Sequence, residues 1–164
     1  MDQTTNQTTA WQTAQLLSLA DNTSSFTETE LKVWSLDYIK GAIELVPARI
    51  KNEQDLNEFK VKTETLLTEL PKRDDKGKLK SKAYQKLIAD YNSYIMKKFN
   101  MIPKGHHLAI WLPMGIALGI PFGLPLKNIA MGIPIGLAIG ALIGTLLDKR
   151  AKKAGNVIQS SEMQ

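Results

Sequence analysis

Between residues 26 and 100 the apolar positions of this chain recur every three or four residues, and beyond residue 107 they run together almost without a break. The first pattern predicts amphipathic helices, the second apolar helices of membrane length. Leu31, Trp34, Tyr38, Ala42 and Leu45 form one stripe. It is entered through a Thr27/Glu30 capping box, with Phe26 stapled onto Leu31, and stopped at Pro47. Leu56, Phe59, Leu66, Leu67 and Leu70 form a second stripe from about Asn52 to Pro71. Tyr84, Leu87, Ile88, Tyr91, Ile95 and Phe99 form a third over 81–99. Trp11, Leu16, Leu17 and Leu19 suggest a short helix before the small polar residues of 21–25, and the Thr/Gln/Asn-rich residues 1–9 read as a disordered tail. No alternation long enough for a strand is present.

Residues 108–147 carry a single charge, Lys127, and a break at Pro125–Asn128. One span needs ~20 apolar residues, so forty are the length of two. Helices over about 108–124 and 129–147 follow, as a hairpin that spans the bilayer or re-enters it. The predicted fold class is all-α: a small N-terminal amphipathic helical bundle, then a C-terminal two-helix transmembrane hairpin. In domain terms this gives a tail over 1–9, a cytoplasmic helical domain over 10–103, the hairpin over 104–150 and a basic, polar tail over 151–164.

Charge sets the orientation. The chain has 164 residues and a net charge of +5, but residues 1–107 are nearly balanced, at 16 Lys/Arg against 14 Asp/Glu. Lys97, Lys98 and Lys104 precede the apolar segment, and Lys149, Arg150, Lys152 and Lys153 follow it. The positive-inside rule then places both ends in the cytoplasm and the turn at Lys127 on the other side. The polar start, Met1-Asp2-Gln3-Thr4, offers no secretory signal, in keeping with that orientation. His106, His107 and Trp111, with Lys127, Lys149, Arg150, Lys152 and Lys153, are the expected membrane-interface residues.

Glycine placement says more than hydrophobicity. Gly115, Gly119 and Gly123 lie four apart in the first apolar helix, and Gly132, Gly136, Gly140 and Gly144 in the second. Each helix therefore presents a groove without side chains, the surface through which helices pair in lipid. The two segments also repeat: Met114-Gly-Ile-Ala-Leu-Gly-Ile-Pro-Phe-Gly123 matches Met131-Gly-Ile-Pro-Ile-Gly-Leu-Ala-Ile-Gly140 at five of ten positions, 17 residues on. With the following Ala-Leu-Ile-Gly-Thr-Leu-Leu-Asp-Lys-Arg, this run resembles the C-terminal segment of small bacterial glycine-zipper membrane proteins. The resemblance covers about 45 residues and leaves the N-terminal half unexplained. It implies a bacterial inner-membrane protein whose helices associate through glycine faces. It implies no reaction.

The candidate chemistry is sparse. The chain has no cysteine, which removes thiolate catalysis, disulfides and thiolate metal sites. Adjacent histidines on a helix point about 100° apart, so His106 and His107 read as interfacial residues rather than a shared metal site or a pH sensor. Pro113, Pro121 and Pro134 read as tolerated kinks, since no Asp, Glu or Arg in the span marks an ion path. The Lys72–Lys82 run reads as a solvated turn interrupted by Asp74 and Asp75, and Tyr84, Tyr91 and Tyr94 as packing residues rather than base-stacking ones. No catalytic, cofactor or metal residue is assigned, and no enzyme activity or nucleic-acid partner is expected. The expected partners are the lipid bilayer, further copies through the glycine faces, and a cytoplasmic protein. A pore-forming, holin- or toxin-like oligomer is the alternative, disfavoured by the lack of polar residues beyond Thr145 to line a lumen.

Overall fold

The computed structural model describes residues 3–73, 77, 79, 81–123 and 129–159. The chain is all-α in character: helices α1 (Gln3–Thr23), α2 (Glu28–Val33), α3 (Leu36–Leu45), α4 (Glu53–Thr68), α5 (Lys82–Phe99), α6 (His106–Gly123) and α7 (Ile129–Lys153) account for most of it. A 3-10 turn spans Pro47–Arg49, and two-residue strands β1 (Ile102–Pro103) and β2 (Val157–Ile158) pair with each other. Those strands are too short to leave an alternating pattern. The chain divides into two compact units, one of residues 1–101 with 158–164, the other of residues 102–157.

The first unit is a bundle of α1 to α5. The expected tail is, from Gln3 onward, the first turns of α1. Long-range hydrogen bonds hold α1 in place: Gln12 Nε2 donates to the Ile43 and Glu44 carbonyls at 2.7 and 3.1 Å, and Trp11 Nε1 to Glu64 Oε1 at 2.7 Å. The single helix expected after Thr27 is two. The capping box forms, with Thr27 Oγ1 accepting from the Glu30 amide and the Glu30 carboxylate from the Thr27 amide. The helix then breaks at Trp34–Ser35, where Ser35 takes a left-handed conformation (φ 57°). That break re-phases the stripe. Leu36, Ile39, Ala42, Ile43 and Val46 turn inward, while Leu45 is left 38% exposed. In α1, Leu17 is 61% exposed.

Helices α4 and α5 each start at a side-chain cap. Asn52 Oδ1 accepts from the Asp55 amide at 2.7 Å, and Ser81 Oγ from the Tyr84 amide at 2.9 Å. Phe59 and Tyr84 are fully buried and anchor the core with Ile39, Ile43, Leu66 and Ile95. Phe59 meets the rings of Trp11, Tyr91 and Phe99 at centroid distances of 5.9, 6.3 and 6.3 Å. Thr63, the one fully buried polar residue described, shares a 2.8 Å hydrogen bond with Tyr91. Ile158, beyond α7, is 2% exposed and belongs to this core. The residues expected as a polar tail over 151–164 thus include the last turn of α7, β2 and a core side chain.

The basic turn after Pro71 is tied down by Arg73. Its guanidinium donates to both Glu30 oxygens, at 3.1 and 3.0 Å, and to the carbonyls of Ser25 and Gly77. The Thr27 amide first, and Arg73 second, hold the Glu30 carboxyl below its usual range. A carboxyl depressed in the folded state contributes stability above the ordinary carboxylate range and loses it as pH falls through the folded value. Arg73→Ala is expected to move the Glu30 titration only part of the way back up, because the stronger Thr27 contact stays. An NMR carboxyl titration reads this, and an unmoved Glu30 would show that Arg73 does not act on it.

Candidate functional site

The second unit is built on the packing of α6 against α7. Pro113, Pro121 and Pro134 lie within these helices, and all three are exposed on the sides away from the contact. All seven of the four-spaced glycines are buried, whereas the large residues between them face outward: Leu118 is 54% exposed, Met131 57% and Leu142 61%. The glycines face one another across the contact. A Cβ on Gly136 would fall on the Gly115 carbonyl oxygen and 2.6 Å from the Gly119 Cα. One on Gly115 would fall on the Gly136 carbonyl and 2.8 Å from the Gly140 Cα, and one on Gly144 would lie 2.7 Å from the Leu108 Cα. Backbone thus lies against backbone from Leu108/Gly144 to Gly123/Gly132, fifteen residues and roughly 22 Å of helix.

The internal repeat is visible in this seam. Shifting each residue number by 17 exchanges the two helices. It turns the surroundings of Gly115 (the Gly136 carbonyl and Gly140) into those of Gly132 (the Gly119 carbonyl and Gly123). Gly119 and Gly136 exchange with each other, and so do their neighbours. The seam is a local two-fold centred on Gly119 and Gly136. It is also formed within one chain, so the glycine faces expected to join copies are already filled by each other.

The open end of the pair is closed by Asp148. Its carboxylate accepts from the backbone N–H of His107 at 3.0 Å and of Leu108 at 3.2 Å, and stands 3.1 Å from His107 Nδ1. A side chain of α7 thereby satisfies the free amides at the start of α6. The sequence signal was weak: Asp148 lies 41 residues from His107 and reads as part of a basic cluster. Further out, the Ile102 amide donates to the Asn156 carbonyl at 2.8 Å. A Schellman turn ends α7, with Gly155 at φ 70° and the Asn156 amide reaching the Ala151 carbonyl at 3.0 Å. Asp148→Ala is expected to speed amide exchange at His107 and Leu108 about fivefold relative to Gly119, the loss of a cap of ~1 kcal/mol. Equal protection in both proteins would remove the capping role.

The other sequence-assigned residues are placed as follows. His106 and His107 stack edge to face at 5.5 Å. Trp111 is half-buried, with its carbonyl against Gly140. Lys149, Arg150, Lys152 and Lys153 are exposed in the last turns of α7. Lys127 and the Pro125–Asn128 break lie outside the described residues. No cluster of three or more metal-ligating side chains occurs among the described residues. In the first unit, burial pushes the phenols of Tyr84 and Tyr91 well above the ordinary value and that of Tyr94 to about 12, so these side chains stay neutral as packing groups.

One described helix, α7 from Ala130 to Lys153, is long and apolar enough to cross a membrane by length and composition. The two-span expectation is not met by α6. Its 18 residues begin with two histidines, and the apolar remainder falls short of the ~20 a full span needs. No family model, curated protein or solved structure matches the chain. The resemblance to glycine-zipper proteins therefore rests on the residues alone.

Proposed function

We propose that the chain is a non-enzymatic membrane-anchored helical protein. Its glycine-seamed pair α6/α7 sits in the lipid, and its helical bundle is presented to a protein partner in the cytoplasm of a bacterium. The observation that carries the reading is the inversion of the pair: glycines buried in the seam, large aliphatic residues outside. The apolar stretch of α7 has only 22% of its residues buried, whereas a core helix of a soluble protein hides most of its own. In water such a surface would be a costly apolar patch; in lipid it is the expected one. The exposed lysines and Arg150 at the closed end, with the β1/β2 pairing that brings both flanks together, favour both flanks on the cytoplasmic side. On this reading α7 spans while α6 is short and pulled across by the seam, or the pair enters from one face as a re-entrant wedge.

The seam revises how copies would associate. With the glycine faces occupied within the chain, any oligomer has to form through the outer aliphatic faces. The pore reading gains nothing here. Thr145, the only hydroxyl in α7's apolar stretch, returns its Oγ1 to the Ala141 and Leu142 carbonyls of its own helix. Carbonate extraction of membranes from expressing cells tests the anchor: the protein is expected in the pellet, and recovery in the wash would overturn the proposal. Dye-loaded liposomes that leak in proportion to reconstituted protein would restore the pore in its place.

A further inference from the structure

Beside the glycine seam runs a groove of about 180 Å³, lined by Trp111, Leu118, Ile139 and Ile143 with the seam glycines as its floor. No polar surface opens into it. It exists because glycine leaves no side chain to fill the angle between two closely packed helices. On α7 the lining residues Ile139 and Ile143 continue at helical spacing into Leu146 and Arg150, so all four share one face. Arg150 stands seven residues beyond Ile143, about 10 Å along the axis, on the same side of the helix as the groove. Its side chain is exposed and makes no hydrogen bond or ion pair among the described residues, and neither do those of Lys149 and Lys153 beside it. The one carboxylate in that turn, Asp148, is committed to the start of α6.

We propose that this groove and Arg150 form a binding site for one anionic phospholipid, with an acyl chain against the glycine floor and the headgroup phosphate on Arg150. The inference rests on the membrane reading above and adds a lipid selectivity to it. Three features favour that occupant over a helix of a second copy. The lining is apolar to the point where Trp111 marks the interface. The charge at the mouth is positive and free. Arginine also matches phosphate oxygens with a planar pair of donors, which a zwitterionic headgroup engages less strongly because its own cation competes. Lys149 and Lys153 add to the field without fixing the position.

The test is native mass spectrometry of the full chain in detergent, incubated with equal amounts of dioleoyl-phosphatidylglycerol and dioleoyl-phosphatidylcholine. One phosphatidylglycerol per chain is expected to be retained in preference. Arg150→Gln with Lys153→Gln should lower that preference on the order of tenfold, by removing two charges at the headgroup level, and leave the weaker phosphatidylcholine adduct unchanged. Ile139→Trp, which fills the groove, should remove both adducts. Arg150→Gln lies outside the seam, so it remains informative even where Ile139→Trp disturbs the hairpin. Equal retention of the two lipids, a preference that survives the double charge change, or a lipid-free dimer would each overturn the site. The same chain reconstituted into phosphatidylcholine nanodiscs separates the two proposals: incorporation without lipid preference removes the site alone, and failure to incorporate removes the anchor.

Discussion

Gly136→Ile is expected to drive α6 and α7 apart along their whole contact. The added Cβ alone would meet the Gly115 carbonyl oxygen, the Gly119 Cα at 2.6 Å and the Gly119 nitrogen at 2.8 Å. All three are backbone atoms on a regular helix, so no rotamer change relieves the clash. Ordinary contact requires the helices to separate by about 1 Å before the rest of the isoleucine is accommodated. Overpacking of a flexible core costs ~1–3 kcal/mol, and here the strain falls on a rigid seam at its two-fold centre. The chain lacks cysteine, so spin labels can be placed uniquely at Ile110→Cys and Leu142→Cys, both exposed on opposite helices. Gly136→Ile should lengthen and broaden the label distance in detergent, and Gly119→Ile should do the same by the internal symmetry. Leu137→Ile, one residue on but 40% exposed, should leave it unchanged. An unaltered distance in both glycine variants would mean that the seam does not hold the pair.

The glycine register was readable because its cause is local and periodic. Four-residue spacing puts residues on one face whatever the helix packs against, and the 17-residue repeat marked the two segments as alike. The cap at Thr27 was legible for the same reason: a short polar side chain acts on an amide three residues away. What the sequence hid depends on the distant chain. The Ser35 break follows no proline or glycine, and it rotates the α3 face by packing rather than propensity, which is why Leu45 was expected inside and Ile39 and Ile43 were not. Asp148 and Arg73 acquire their roles from partners more than forty residues away, and one side chain's charge says nothing of that. Whether the glycine faces join two helices of one chain or of two is likewise a question of connectivity. Periodicity alone leaves it open.

Phe59→Ala should cost the first unit most of its stability. The ring is fully buried and is the one aromatic that touches Trp11 from α1, Tyr91 from α5 and Phe99 at the end of α5. Truncation removes those contacts and leaves a cavity that three stiff rings cannot collapse into, so the upper part of the usual ~3–5 kcal/mol range applies. Domains of this size have ~5–15 kcal/mol in all. Urea unfolding followed by Trp fluorescence suits the test, because Trp11 reports on the cavity itself. Val61→Ala, two residues on and 61% exposed, should change stability by no more than ~0.5 kcal/mol. A loss below about 1 kcal/mol for Phe59→Ala would contradict the core as described. Membrane fractionation of the Phe59→Ala chain adds a second reading. The contacts that shape the proposed anchor all lie within residues 102–157, so the variant should stay in the carbonate-resistant pellet while its bundle unfolds. Its appearance in the soluble fraction would mean that the bundle, and not the glycine-seamed pair, carries the protein to the membrane.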